Sequence, residues 1–273
     1  MLMPNRIVAE YSRIEIDPLD VYVFDCAGLV VIRNVFPKSQ IETCKAAINS
    51  FFPQRKPWKF SVLGMGEIFW DIMTNKIMLA MAEQLCGEQF RLDHAFSVTS
   101  DERIVNLHGG AASSYGSCFT KIDNSLYVGQ LACGVPLTTQ SSETGGMCYV
   151  PGSHRSIDCR TGSEIKKSLF KGNMSHEAIV TPTLNPGDLV IFSESLVHGD
   201  TGWKPANYSR LIVYYKFCPG FMTWRDPRDQ EQFRKLARND LERRLMEPPW
   251  SGKFLDSGYA MSHSNLRRDK TLL

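Results

Sequence analysis

The sequence predicts a mainly β fold with flanking helices, its core a double-stranded β-helix, or jelly roll. Three observations predict it. Between residues 90 and 220, β-rich runs fall at 90–99, 103–107, 126–135, 147–150, 177–184, 189–192 and 211–217. Turn sequence separates them: GGAASS, SSETGG, PGSH, NPGD and GDTGWKPAN. No helical period interrupts the series, so the strands have chiefly one another to pair with. That number of short strands fits a two-sheet jelly roll, whose mouth holds a ligand.

Ahead of this region the texture is mixed. Residues 29–35 (LVVIRNV) read as a short strand, and Pro37 then opens a helix. Ile41, Cys44, Ala47, Ile48 and Phe51 recur at helical spacing, giving one apolar stripe that Pro53 stops. Residues 73–86 repeat the pattern through Ile77, Met78, Met81, Ala82 and Leu85, with Gly87 at the C-terminal cap. Stripes of this kind are core packing rather than a cofactor box. Beyond residue 220 the chain turns polar: residues 225–246 alternate in charge and read as a solvated helix on the barrel, ended by Pro248 and Pro249. The organisation expected is one domain over 1–273. Helical support occupies 20–90, the jelly roll 90–220, and a helix with a loose tail 221–273.

Bulk properties exclude several classes. A formal charge of +2 points to no nucleic-acid polymer and no anionic membrane as partner. No run approaches the roughly 18 apolar residues of a membrane span. The N-terminal residues lack the basic start and apolar stretch of a secretory signal. The eight cysteines contain no C-x-x-C pair, which speaks against a zinc ribbon or a thioredoxin-type centre. A cytoplasmic protein with reduced, buried thiols is expected. Oligomeric state is not legible.

Two of six histidines stand at the ends of core strands. His108 closes RIVNLHGG and His198 follows GDLVIFSESLVHGD. Oxygen-activating iron is commonly held by two imidazoles and a carboxylate on one face, with three positions left for other ligands. For either histidine alone, a hydrogen-bonded structural role is the better reading. Arg210 alters the balance. It heads SRLIVYYKF, twelve residues past His198, and an unpaired charge on an apolar strand is costly. Its planar fork suits a carboxylate, as of a keto acid chelating the same metal. A surface salt bridge is the alternative.

The segments GGMCYVPGSHRS, LNPGDLVIFSESLVHG and SRLIVYYKFCPG resemble those of the phytanoyl-CoA dioxygenase family of Fe(II)/2-oxoglutarate enzymes. FDCAGLVVIRNVFP is similar to that family's opening strand and helix, so the resemblance runs over about residues 20–220. It implies a cupin-like jelly roll, with Fe(II), 2-oxoglutarate and O2 as cofactors. It also implies His108 and His198 as metal ligands, Arg210 as the 2-oxoglutarate anchor and His154 as a structural turn residue.

The chain departs from the family at one position. The family's first ligand pair is His-x-Asp, whereas His108-Gly109-Gly110 places glycine at the carboxylate. Iron there lacks a negative ligand and has space beside it, and a halide ion meets both needs. The arrangement resembles the Fe(II)/2-oxoglutarate-dependent halogenases, in which Gly or Ala replaces the aspartate and a substrate radical recombines with chloride. The function expected is chlorination of an unactivated C–H bond in a free small molecule, with Gly110 as the halide site. Three rivals stay open: a carboxylate from Asp93, Asp123 or Asp200 completing a hydroxylase site, water there, or a binding module without catalysis. His198-Gly199-Asp200 also reads His-x-Asp, but its second histidine would be His263, beyond a charged segment with no barrel strands.

Supporting residues follow. Tyr127 and Gln130 are expected to face the barrel interior and contact 2-oxoglutarate or substrate, and core polar roles are equally open. Trp203 walls the pocket or packs on the rim. Ser113, Ser114 and Tyr115 form a lid, or Gly109 and Gly110 are simply a turn demanding positive φ. Lys204, Lys216 and Arg225 near the mouth tolerate a phosphate or carboxylate on the substrate, although solvated charge explains them as well. Halogenases of this type act on tethered acyl groups, amino acids, alkaloids and nucleotides, and the sequence does not choose.

Overall fold

The structure is a computed structural model that describes residues 14–51, 61–100, 104–110, 119–122, 125–156, 176–205 and 207–249. Helix α1 spans Pro18–Ala27, with Asp17 capping the Leu19 N–H and proline at the first position, where a missing N–H costs nothing. Strand β1 is Leu29–Ile32, shorter than expected. Helix α2 is Lys38–Phe51, and it buries Ile41, Cys44 and Ile48 from the expected stripe. The helix expected over 73–86 starts three residues later, and Met73 instead ends a separate helix before it. Helix α3 (Ile68–Met73) stops at Thr74, and Asn75 caps α4 (Lys76–Cys86) by accepting from the N–H groups of Ile77 and Met78. The Asn75 cap sets the start, and the whole expected stripe from Ile77 to Leu85 lies in α4.

Ten strands are described. After β1 come β2 (Arg91–Ser100), β3 (Ile104–His108), β4 (Phe119–Ile122), β5 (Ser125–Val128), β6 (Leu131–Pro136), β7 (Met147–Tyr149), β8 (Leu189–Ser193), β9 (His198–Thr201) and β10 (Arg210–Cys218). A five-stranded sheet runs β1-β8-β6-β10-β2 and a three-stranded one β3-β9-β7, all antiparallel. Facing each other, these sheets form the expected jelly roll. The run expected over 126–135 is broken at residues 129–130: β5 pairs with β4 in a separate hairpin, and β6 enters the large sheet. Residues 177–184 contribute isolated bridges at Val180 and Leu184 rather than a strand.

Alternation decides what each face does. On β10, Leu211, Val213, Tyr215 and Phe217 face outward into a core shared with α2, α3 and α4. Ile212 and Tyr214 face inward with Ala132, Val190, Phe192 and Met147, filling the space between the sheets. A smaller cluster of Leu107, Cys148, Val150 and Val197 covers the outside of the three-stranded sheet. The site therefore sits in a barrel braced by helices on one side.

The C-terminal segment is not one solvated helix. It forms α5 (Arg228–Arg234) and α6 (Asp240–Leu245), and α6 buries Glu242 and Leu245. Arg238 pairs with Glu242 inside this segment and ties it to α3 through Asp71, both at 2.7 Å. Cys44, Cys133, Cys148 and Cys218 are buried free thiols, and burial pushes Cys44 and Cys148 up to about 12. No helix among the described residues is long and apolar enough to cross a membrane.

Candidate metal and 2-oxoglutarate site

The two strand-end histidines meet. His108 closes β3, His198 opens β9, and the antiparallel register makes them cross-strand partners. Their ring centroids lie 4.3 Å apart. Each ring is oriented by the backbone two residues upstream. His108 Nδ1 donates to the Asn106 carbonyl (2.9 Å) and His198 Nδ1 to the Leu196 carbonyl (2.7 Å). With the proton fixed on Nδ1, each Nε2 keeps its lone pair, the form in which imidazole binds a metal. Burial pushes His198 down to about 4, aided by the neighbouring His108 and Lys216 and opposed by Glu194. The ring is neutral at pH 7.

These donors suit a divalent iron: two neutral nitrogens share one approach, and the rest of the coordination shell is left to other ligands. Among the described residues, no group of three or more His, Cys, Asp or Glu side chains is placed to hold a metal ion. The carboxylates weighed as a third ligand are engaged elsewhere. Asp93 is buried and accepts from the Thr223 hydroxyl (3.0 Å) and the Trp224 N–H (2.7 Å), with His94 Nδ1 at 2.6 Å. Asp200 lies against Arg210, and Asp123 is outside the described residues.

Gly109 and Gly110 both have positive φ, +86° and +100°. A Cβ on Gly109 would overlap the Leu196 carbonyl oxygen and sit 3.0 Å from that of Glu194. A backbone requirement for glycine is thus present at this turn, alongside the missing side chain at 110. The proposed lid residues Ser113, Ser114 and Tyr115 lie outside the described residues.

Arg210 heads β10 on its inward face and is only 1% exposed. Its Nε donates to Gln140 Oε1 (2.9 Å), and its Nη1 lies 2.7 Å from Asp200 Oδ1. That ion pair is close yet off the hydrogen-bond axis, so Nη1 has no aligned acceptor. Gln140, fully buried, also has an unpartnered Nε2. A buried guanidinium held by one short carboxylate, beside a buried amide nitrogen without an acceptor, suits an incoming ligand carboxylate. The residues fit both iron and the distal end of 2-oxoglutarate.

One carboxylate beside the histidines, Glu194, was not singled out by the sequence. Glu194, just past β8, continues that strand's inward alternation after Val190 and Phe192. It forms an ion pair with Lys216, whose ammonium lies 4.9 Å from the centroid of Phe192 and 5.4 Å from that of Tyr214. Burial pushes the Glu194 carboxyl up, but Lys216, His198 and His108 more than offset this and hold it at about 2. Lys216 is therefore an interior cation beside the histidines, not solvated charge. The signal was the period-two pattern of VIFSE, legible once β8 is known to face inward.

Other expectations are corrected or relocated. Tyr127 does not face the interior: it is 40% exposed on the β4–β5 hairpin, opposite the buried Leu126 and Val128. Gln130 is buried, and its amide donates to Asp93 (3.4 Å). Trp203 is buried within its own loop, its indole N–H on the Tyr208 carbonyl (2.9 Å) and its ring edge-on to Tyr208. Lys204 is exposed and reaches the Ser142 carbonyl (3.1 Å). Arg225 is exposed, its backbone N–H directed at Asp93. His154 fills the structural role expected, buried with Nε2 donating to the Asp25 carbonyl (3.0 Å).

Residues 24–202 match the phytanoyl-CoA dioxygenase (PhyH) family. Among solved structures, apo HygX from Streptomyces hygroscopicus superimposes with a TM-score of 0.68 at 22% identity, covering 78% of this chain and 91% of that one. HygX has also been solved with nickel, 2-oxoglutarate and hygromycin B bound. EctD from S. alaskensis with bound iron gives 0.58 at 17% identity, covering 75% and 77%. The non-haem α-ketoglutarate-dependent epimerase SnoN from nogalamycin biosynthesis gives 0.56 at 18%, covering 75% and 85%. At these identities the likeness shows the fold. No curated protein sequence matches.

Proposed function

The chain belongs to the phytanoyl-CoA dioxygenase family of iron- and 2-oxoglutarate-dependent oxidoreductases, and from that premise we propose that it oxidises an unactivated C–H bond of a free small molecule. The observation that carries the reading is the pairing of His108 and His198, both with Nδ1 tied to a carbonyl and Nε2 left to a metal. Bound iron and 2-oxoglutarate supply oxidation by O2, with the keto acid leaving as succinate and CO2. The chain's own residues do the rest. His108 and His198 hold the metal, and the Asn106 and Leu196 carbonyls fix their tautomers. Arg210 and Gln140 take the distal carboxylate. Phe192 and Tyr214 wall the interior and keep water from it.

The finer reading is chlorination, carried by Gly110. A glycine where the family places a carboxylate leaves one metal position without a side chain, and chloride fills it with the charge that is lacking. Hydroxylation is the second reading, and Glu194 favours it. Its carboxylate stands beside both histidines, and it already supplies the site with a negative charge. HygX's bound hygromycin B and EctD's bound 5-hydroxyectoine support a free polar metabolite as the substrate class.

The test incubates the protein with Fe(II), 2-oxoglutarate, O2 and candidate metabolites, with and without chloride, and measures succinate and product mass. A product heavier by chlorine, formed only with chloride, is the expected result. Addition of oxygen irrespective of chloride transfers the function to hydroxylation. Absence of succinate with every candidate removes the catalytic reading.

A further inference from the structure

The anchor for the distal carboxylate is already in contact with a carboxylate of the chain. Strand β9 alternates, so Asp200 lies two residues beyond His198 on the same inward face. Its Oδ1 comes within 2.7 Å of Arg210 Nη1. Without it, a guanidinium 1% exposed would hold an uncompensated charge in the barrel, which is strongly destabilising. Yet the fit is incomplete. The contact is off the hydrogen-bond axis, and the neighbouring Gln140 Nε2 is left without an acceptor. One short side chain cannot satisfy both donors, whereas a ligand carboxylate with two free oxygens can.

Resting on the assignment of Arg210 as the 2-oxoglutarate anchor, we propose that Asp200 is a built-in stand-in for the co-substrate's distal carboxylate and sets the affinity for it. In the ligand-free chain Asp200 neutralises Arg210. When 2-oxoglutarate enters, two carboxylates compete for one guanidinium, and like charges this close in a low-dielectric interior repel. Asp200 is the partner that gives way, because its side chain is 16% exposed and has water within reach, while Arg210 has none. Binding therefore carries the cost of separating an ion pair, and Asp200 weakens the apparent affinity for 2-oxoglutarate. It also biases the anchor against any anion unable to use Gln140 Nε2 as well as Arg210.

The experiment titrates 2-oxoglutarate into the full chain loaded with Ni(II), by calorimetry, for the unaltered protein, Asp200→Asn and Asp200→Ser. Thermal melts are recorded with and without 2-oxoglutarate. Both variants are expected to bind about tenfold tighter or more. Their ligand-free Tm falls, and their rise in Tm on adding 2-oxoglutarate exceeds that of the unaltered protein. Affinity unchanged or weakened in both variants, with the unaltered protein still binding, overturns the role of Asp200 and leaves the functional assignment standing. No binding by any of the three proteins overturns both, since freeing Arg210 would then have produced no anchor.

Discussion

The imidazoles of His108 and His198 face each other across the β3–β9 ladder with centroids 4.3 Å apart, each hydrogen-bonded through Nδ1 to the carbonyl two residues before it. The ladder sets the spacing and the carbonyls set the protonation that the proposed metal site needs. Replacing either ring with alanine is expected to lower Ni(II) or Fe(II) affinity by on the order of 100-fold or more. Calorimetry reads the loss. Circular dichroism reads the fold, which is retained because neither ring belongs to the apolar core.

Gly109→Ala tests the turn that presents His108. Its Cβ would overlap the Leu196 carbonyl oxygen, the same oxygen that accepts from His198 Nδ1. Positive φ adds strain, and a loss of about 2 kcal/mol or more is expected in chemical denaturation. Metal affinity falls along with stability, because displacing Leu196 unseats His198.

Gly110 requires a paired comparison. At φ +100°, Gly110→Ala and Gly110→Asp carry similar backbone strain, about 1–3 kcal/mol each. The chlorination reading predicts that Asp alone abolishes chloride incorporation while succinate is still formed. Equal behaviour of the two variants assigns the glycine to backbone geometry.

Buried Lys216 and partly buried Glu194 form an interior pair of a different kind from surface ion pairs. Lys216→Met leaves Glu194 unpaired and is expected to cost about 3 kcal/mol, and the double variant Lys216→Met with Glu194→Gln recovers most of it. Denaturant titration of the four proteins gives the coupling. Additive losses would show that the pair contributes nothing to the fold.

Acid has a defined effect. Burial holds both His154 and His198 at about 4, below the ordinary value of 6.5. Above pH 6.5 these rings are neutral folded or unfolded, so they impose no slope. As pH falls from 6.5 towards 4 the unfolded chain takes up protons that the folded chain refuses, and stability drops. Glu194, held at about 2, adds its own loss only below about pH 4.5. Tm measured from pH 7.5 to 4.5 is expected to be flat and then to fall. His154→Gln removes part of the slope, and Ni(II) opposes the part that belongs to His198.

Much of this was legible in the sequence because periodicity and spacing are local. The strand runs, His108, His198 and Arg210 all announced themselves by alternation or by place on a strand. What stayed hidden depends on which way a face turns. Tyr127 and Gln130 seemed to share one strand, but the break at residues 129–130 puts Tyr127 on a hairpin, exposed, and Gln130 in the core. Lys216 read as a cation near the mouth or as solvated charge, and Glu194 was not singled out, because no local pattern says that β8 and the end of β10 both point inward beside His108 and His198. Asp200 was weighed as a metal ligand, and its contact with Arg210 crosses a loop of uninformative sequence.

The most direct test of the account is anaerobic titration of the Fe(II)-loaded chain with 2-oxoglutarate, followed by visible absorption. Chelation of one iron held by His108 and His198 predicts a metal-to-ligand charge-transfer band that saturates with 2-oxoglutarate and is absent in His198→Ala. A chain that takes up Fe(II) yet shows no such band at saturating 2-oxoglutarate would contradict it.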